Sequence, residues 1–325
     1  LGHRTGLFDA MARLPDPATS RQIAAEAKLN ERYVREWLGA MVTGGVVEYD
    51  APAHAYRLPP EHAAFLTRAG TNNLAVATQF VAVLGSAEDE LAKAFAHGRG
   101  VPYGAYHRFH EVMAEQSAQT VVAALHDHIL PLVPGLTERL KAGIDVLDVG
   151  CGSGLAMIAL ARAFPRSRFA GYDLSPDAVR CARAEADRAG VTNVRFEDRD
   201  LANLDEAGGY DLVTAFDAIH DQAKPDRVLT GVRAALRPGG VFLMQDISGS
   251  GHLAGDLKHP LAPFLYGISC MHCMSVSLAY GGPGLGAMWG KERALAMLRD
   301  AGFGAVTVHE LPHDLLNYYY IARTA

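Results

Sequence analysis

Ile144-Asp145-Val146-Leu147-Asp148-Val149-Gly150-Cys151-Gly152-Ser153-Gly154 decides the fold. A β-branched apolar run ends in an acid, three glycines follow at alternate positions, and the apolar spacing from Leu155 to Phe164 then predicts a helix. Strand, tight turn and helix N-terminus in that order build a nucleotide-type cleft at the carboxyl end of a parallel strand. Leu155 stands where the dinucleotide fingerprint would place its third glycine. The loop alone therefore does not name its ligand, and the strand ends that follow must.

Downstream, strand patterns alternate with helical ones. Strands are expected at 144–149, 168–173, 193–197, 210–216, 240–246, 304–310 and 316–323, with helices between the first five. That alternation predicts an α/β domain with a Rossmann-like, mostly parallel sheet of seven strands and helices on both faces. The last two strands lie close together around Pro312-His313-Asp314, so one of them is expected to run antiparallel at the edge.

The strand ends carry acids. Arg168-Phe169-Ala170-Gly171-Tyr172-Asp173 closes the second strand, and its carboxylate can accept both hydroxyls of a ribose. A bland alternative is that Asp173 simply opens the helix that Ser175 caps. Arg195-Phe196-Glu197-Asp198-Arg199-Asp200-Leu201 closes the third, with acids placed to receive an exocyclic amine. Phosphates would call for Lys or Arg at these turns. Acids at every corner suit a cationic, phosphate-free nucleoside, and S-adenosylmethionine (SAM), with its sulfonium and ammonium, meets that requirement.

Over residues 143–325 the chain resembles the class I SAM-dependent methyltransferases. Asp148, Gly150, Gly152 and Gly154 resemble their first motif, Asp173 with Leu174 the ribose acid and its neighbour, and Asp200-Leu201 the adenine-edge pair. Phe216 ends the fourth strand beside these corners. The whole chain is similar to bacterial methyltransferases whose N-terminal domain is of the mycobacterial Rv2258c type. It is more distantly similar to the winged-helix O-methyltransferases of small aromatic molecules. The resemblance implies a homodimer, a lid over the substrate, SAM as cofactor and S-adenosylhomocysteine as product.

It also points to His220 in Asp217-Ala218-Ile219-His220-Asp221-Gln222 as a general base, with Asp246 orienting it from the end of the fifth strand. A histidine titrates near neutrality and can take a hydroxyl proton as the oxygen attacks the methyl group. Gln222 stands where those O-methyltransferases carry tryptophan. A methyl transfer can also run on proximity, without an essential base.

Residues 1–70 read as a winged helix: three short helices, with Tyr33, Val34, Trp37, Leu38 and Met41 inward on the third, and a hairpin around Pro52. Residues 1–68 carry eight basic and eight acidic side chains, and Glu31 and Glu36 interrupt Arg32 and Arg35 on the would-be recognition helix. With a net charge of −6 for the chain, nucleic-acid binding is not expected and dimerisation is. Residues 71–142 read as an all-helical linker and substrate lid.

From Pro260 to Gly290 there is no Asp, Glu, Lys or Arg, but Gly, Pro, Ser and His272 interrupt the stretch, so it reads as a buried wall and not a membrane span. Lying above the sheet edge, it is expected to cover a small hydrophobic or aromatic acceptor, O-methylation being favoured and N or S open. The substrate contacts expected are Tyr103 and Tyr106 from the lid and Phe264, Met271, His272, Met274 and Trp289 from the insertion. Cys270-Met271-His272-Cys273 lacks a second ligand pair, so no metal is expected. Four cysteines in 325 residues form no disulfide framework, which suits a reducing, cytoplasmic setting. The chain opens at Leu1 without methionine, and residues are expected to precede it. Two rival readings keep the cofactor: a SAM-binding transcriptional regulator, and the same fold doing non-methyl chemistry.

Overall fold

The computed structural model describes residues 1–70 and 73–324. Two compact units, Leu1–Ala82 and Val83–Ala325, divide the chain. The domain boundary expected at 70/71 borders residues 71 and 72, which lie outside the described residues.

In the first unit the helices Leu7–Arg13, Ser20–Ala27 and Glu31–Thr43 precede short strands β2 (Glu48–Asp50) and β3 (Ala55–Arg57), and β1 (Ala18–Thr19) pairs with the far side of β3. Thr19 starts the second helix with a reciprocal cap, its hydroxyl accepting from Gln22 N while the Gln22 side chain accepts from Thr19 N. Val34 and Leu38 of the third helix are fully buried, but Tyr33 is 81% exposed, against expectation. It sits at the border of the apolar stripe, where one residue of rotation decides between core and solvent. On that helix Arg35 pairs with Glu31 at 3.4 Å and Arg32 pairs with Glu36, so its guanidinium groups are partnered within the helix.

The second unit holds a seven-stranded sheet of β4 (Asp145–Val149), β5 (Arg168–Asp173), β6 (Val194–Asp198), β7 (Tyr210–Phe216), β8 (Leu236–Ile247), β9 (Ala305–Leu311) and β10 (Asp314–Arg323). Their order is β6-β5-β4-β7-β8-β10-β9. Neighbouring pairs from β6 to β8 are parallel, and β10 runs antiparallel to both β8 and β9. The one reversed strand is thus the last in sequence, slotted just inside the edge strand. Alternation along the strands feeds two cores: Val146, Val241 and Leu243 join one cluster, and Leu147, Phe242 and Met244 the other. Helices Leu155–Ala163 and Pro176–Ala189 pack on the first, Pro225–Ala235 and Lys291–Asp300 on the second.

Strand order reverses at β4, which has β5 on one side and β7 on the other. A crevice must open there, beyond the carboxyl ends of the strands. Above that edge runs the uncharged insertion as consecutive helical turns from Ala262 to Ala279, long and apolar enough by length and composition to cross a membrane.

Candidate active site

The glycine loop turns as it does because only glycine allows it. Gly150, Gly152 and Gly154 have φ of 76°, 52° and 71°. A Cβ on Gly150 would lie 2.4 Å from the Ala218 methyl, and one on Gly154 would lie 2.5 Å from the Phe196 ring. At Gly152 nothing lies within 4 Å of such an atom, so that residue borders open space. Its N–H donates to Asp173 Oδ2 at 2.8 Å, while Asp173 Oδ1 accepts from Ser175 N at 2.8 Å. The acid at the end of β5 therefore braces the loop at the end of β4.

A cleft of about 280 Å³ lies over these strand ends. Gly150, Gly152, Asp173, Leu174, Asp200, Leu201 and Phe216 line it, together with Tyr103 of the short turn Tyr103–Ala105. Gly154 stands behind the wall against Phe196. Asp148 lines a smaller adjoining cavity with Ser117, and His110, Met113, Gly150, Gly152 and Phe216 border both spaces. Asp148 is buried, accepts from Thr214 Oγ1 at 2.7 Å, and is pushed up to about 7 by desolvation and the nearby Asp173 charge. Asp200 accepts from Ala202 N at 3.0 Å and Asn203 Nδ2 at 2.7 Å, holding its own turn.

His220 and Asp246 meet as adjacent parallel strands require. The pairing of Phe216 with Gln245 brings the ends of β7 and β8 together, and His220 Nδ1 lies 2.7 Å from Asp246 Oδ1. That oxygen also accepts from Ile247 N at 2.8 Å and Trp289 Nε1 at 2.9 Å. Asp246 is wholly buried and its Oδ2 has no partner. Burial alone would lower the proton affinity of His220, but the Asp246 carboxylate raises it well above the ordinary imidazole value. His220 is buried just behind the cleft wall, between the wall residues Ala218 and Asp221 in sequence.

Of the residues expected to contact an acceptor, Tyr103 lines this cleft and the others lie elsewhere. Tyr103 is on the wall and donates its hydroxyl to Asp221. Tyr106 is buried and donates to the Met271 carbonyl at 2.6 Å. His272 is buried with its ring stacked on Phe109, centroids 3.7 Å apart, behind the wall that Phe109 forms. Met274 lines a separate apolar groove with Leu91, Phe95 and Leu278. Phe264 is 37% exposed away from the cleft, and Trp289 packs in the core while holding Asp246. The insertion reaches the cleft through Val276 and Tyr280 instead. Helical phase explains this: Val276 and Tyr280 are four apart and share a face, from which Met274 is turned by about 160°.

Two further acids on the wall, Asp217 and Asp221, follow β7. Asp217 has φ of 52° and a buried Oδ1 with no partner; desolvation and the Asp246 charge push its carboxyl well up. Asp221 is pushed up to about 6, chiefly by desolvation. Their signal in the sequence was proximity to His220 and a strand end; side-chain direction was not legible there. Among the described residues no His/Cys/Asp/Glu cluster of metal-binding type occurs.

Parts of the sequence and the fold are shared with known proteins. Residues 1–68 match the sequence model of the Rv2258c-like winged HTH domain, and residues 140–302 match that of a methyltransferase domain. Ribosomal protein L11 methyltransferase of Dechloromonas aromatica is 40% identical over 113 residues, 34% of this chain and 35% of that protein. Ubiquinone biosynthesis O-methyltransferase of a Methylobacterium species is 33% identical over 148 residues, 45% of this chain and 56% of that one. The chain thus spans between a third and a little over half of the length of these relatives. Human N-acetylserotonin methyltransferase, solved in complex with SAM, superposes with a TM-score of 0.70 at 17% identity, covering 99% of this chain and 92% of that one. The pyocyanin biosynthetic protein PhzM superposes with a TM-score of 0.66 at 18% identity, covering 100% and 93%. At such identities the likeness is one of fold. With half of its residues matched by the methyltransferase-domain model, the chain belongs to the methyltransferase domain family.

Proposed function

We propose that this chain uses SAM to methylate a small hydrophobic or aromatic acceptor, oxygen being the favoured nucleophile and nitrogen or sulfur the alternatives. The observation that carries the reading is one cleft bordered by Asp173 at the end of β5, Asp200 just beyond β6 and the open Gly152, with the His220–Asp246 pair directly behind its wall. The residues fit the group. Asp173 has lone pairs to spare for ribose hydroxyls, Leu174, Leu201 and Phe216 offer apolar flanks to a base, and buried Asp148 suits a cationic tail. SAM supplies an electrophilic methyl group.

The chain's own residues would do the rest. His220 takes the acceptor's proton, and Asp246 fixes its tautomer and stabilises the imidazolium. A cation received in the cleft pushes His220 back towards its neutral, proton-accepting form. Phe109, Val276 and Tyr280 exclude water above it. The 71–142 segment serves as the lid, residues 1–70 as a dimerisation module and 143–325 as the SAM domain; the enzyme works as a homodimer in the cytoplasm. The arginines of Glu31–Thr43, already paired with that helix's own acids, support a protein-pairing role over a DNA-reading one.

A screen of phenols, thiols and amines with methyl-labelled SAM tests the reading. Label should pass to at least one phenol. SAM that binds without transfer to any acceptor class would turn the assignment towards a SAM-sensing regulator.

A further inference from the structure

The loop after β7 puts Asp217, Ala218, Asp221 and Gln222 on the wall of the cleft. Gln222 is half-buried, and its backbone is held at both ends. Its N–H donates to Ile219 O at 3.3 Å, and its carbonyl accepts from Oγ of the wholly buried Ser277 at 2.9 Å. The side chain is held as firmly. Gln222 Nε2 donates to Ala218 O at 2.7 Å and to Asp221 Oδ1 at 3.4 Å. A carbonyl and a carboxylate can only accept, so the amide cannot be turned over, and its oxygen is the end left for a guest.

That oxygen, Gln222 Oε1, takes no donor among the described residues and is not sealed from solvent. Asp221 beside it accepts the Tyr103 hydroxyl through Oδ2 and has only the long Gln222 contact on Oδ1. The donors here are therefore spent on the chain itself, the Tyr103 hydroxyl on Asp221 and the Gln222 amide on Ala218. Lys224, exposed where the loop ends, is the exception. Two neighbouring acceptors with lone pairs to spare ask a guest for two neighbouring donors.

We propose that Gln222 is a specificity-determining residue, and that with Asp221 it selects an aromatic acceptor carrying two donors on adjacent ring carbons. A 1,2-dihydroxy or 1-amino-2-hydroxy ring meets that requirement, and a ring with one hydroxyl leaves one of the two acceptors unfilled. Phe109, Val276 and Tyr280 offer apolar surface to the ring in the same cleft. An amide already locked in place loses little freedom on binding, so the second hydrogen bond shows directly in affinity. The inference names a substrate class for the methyl-transfer reading and rests on it. Its test reads binding alone, so it succeeds or fails separately from the labelled-SAM screen.

Titration calorimetry on the full chain compares catechol, phenol and 2-methoxyphenol, the last having both oxygens of catechol but only one donor. Slightly above neutral pH the Asp221 carboxyl, pushed up to about 6 chiefly by desolvation, is ionised. Catechol should bind at least about tenfold more tightly than phenol, and 2-methoxyphenol should follow phenol. Gln222→Leu should weaken catechol by at least about fivefold and leave phenol unchanged, which a general loosening of the wall would not do. If that variant does not fold, catechol against 2-methoxyphenol on the unaltered chain decides alone. Catechol binding no tighter than 2-methoxyphenol, or a catechol affinity indifferent to Gln222→Leu, would overturn the proposal.

Discussion

Trp289 donates its indole N–H to the same Asp246 oxygen that holds His220, at 2.9 Å and 2.7 Å respectively. The tryptophan expected as a pocket wall is instead a brace for the carboxylate. Trp289→Phe keeps the ring in the core and removes one of three donors to that oxygen. Urea unfolding should show a loss of about 1–2 kcal/mol. Titration calorimetry should show S-adenosylhomocysteine affinity unchanged, since the indole touches none of the cofactor corners.

Asp173 should control cofactor affinity. It braces Gly152 and also borders the cleft, so Asp173→Ala removes both a charged acceptor and the loop's support. Calorimetry with S-adenosylhomocysteine should give a Kd raised by about tenfold to a hundredfold. Unchanged affinity would remove Asp173 from the cofactor site.

Gly150→Ala and Gly152→Ala should separate space from backbone strain. Both residues have left-handed φ, costing about 1–2 kcal/mol for any other residue. Only Gly150 also meets a neighbour, the Ala218 methyl at 2.4 Å. Thermal unfolding should place Gly150→Ala clearly below Gly152→Ala, whereas Gly152→Ala should weaken ligand binding because its new methyl enters the cleft.

Asp148 should make the ligand-free protein less stable as pH rises. Its carboxyl is pushed up to about 7 in the fold, against about 3.9 unfolded. The folded state therefore binds the extra proton, and stability present below about pH 4 is lost as pH rises towards about 7. Asp148→Asn keeps a partner for Thr214 and should flatten that slope; urea midpoints at pH 4 and pH 7 for the two proteins check it.

If His220 is the base, His220→Ala should lower kcat by about two to four decades with an accepted phenol. A small effect would leave proximity as the source of rate.

The strand-end residues that line the cleft were legible in the sequence because strand ends are. Asp173 and Phe216 each end a largely apolar strand run, and the shared parallel direction of those strands brings both to the carboxyl edge of the sheet. The His220–Asp246 pairing was legible for the same reason: both follow the carboxyl ends of neighbouring parallel strands. Which residues of the uncharged insertion reach the cleft was not. Residues 262–279 carry apolar side chains all round, so no polar face sets the phase of that helix, and Met274 could not be told from Val276 until the turns were in place. Tyr33 failed for a related reason, lying on the border of its helix's apolar stripe.

The hydroxyl of Tyr103 on Asp221 has a consequence for entry. It ties the turn before Phe109 to the loop after β7, so a molecule arriving at Asp221 must break a phenol's bond to a carboxylate. A guest with its own hydroxyl replaces like with like and loses nothing net. One without leaves Asp221 Oδ2 without its donor, with only Gln222 Nε2 at 3.4 Å on the other oxygen, at a cost of about 1–3 kcal/mol. Should an acceptor enter at Asp221, this pair would favour one that brings its own hydroxyl.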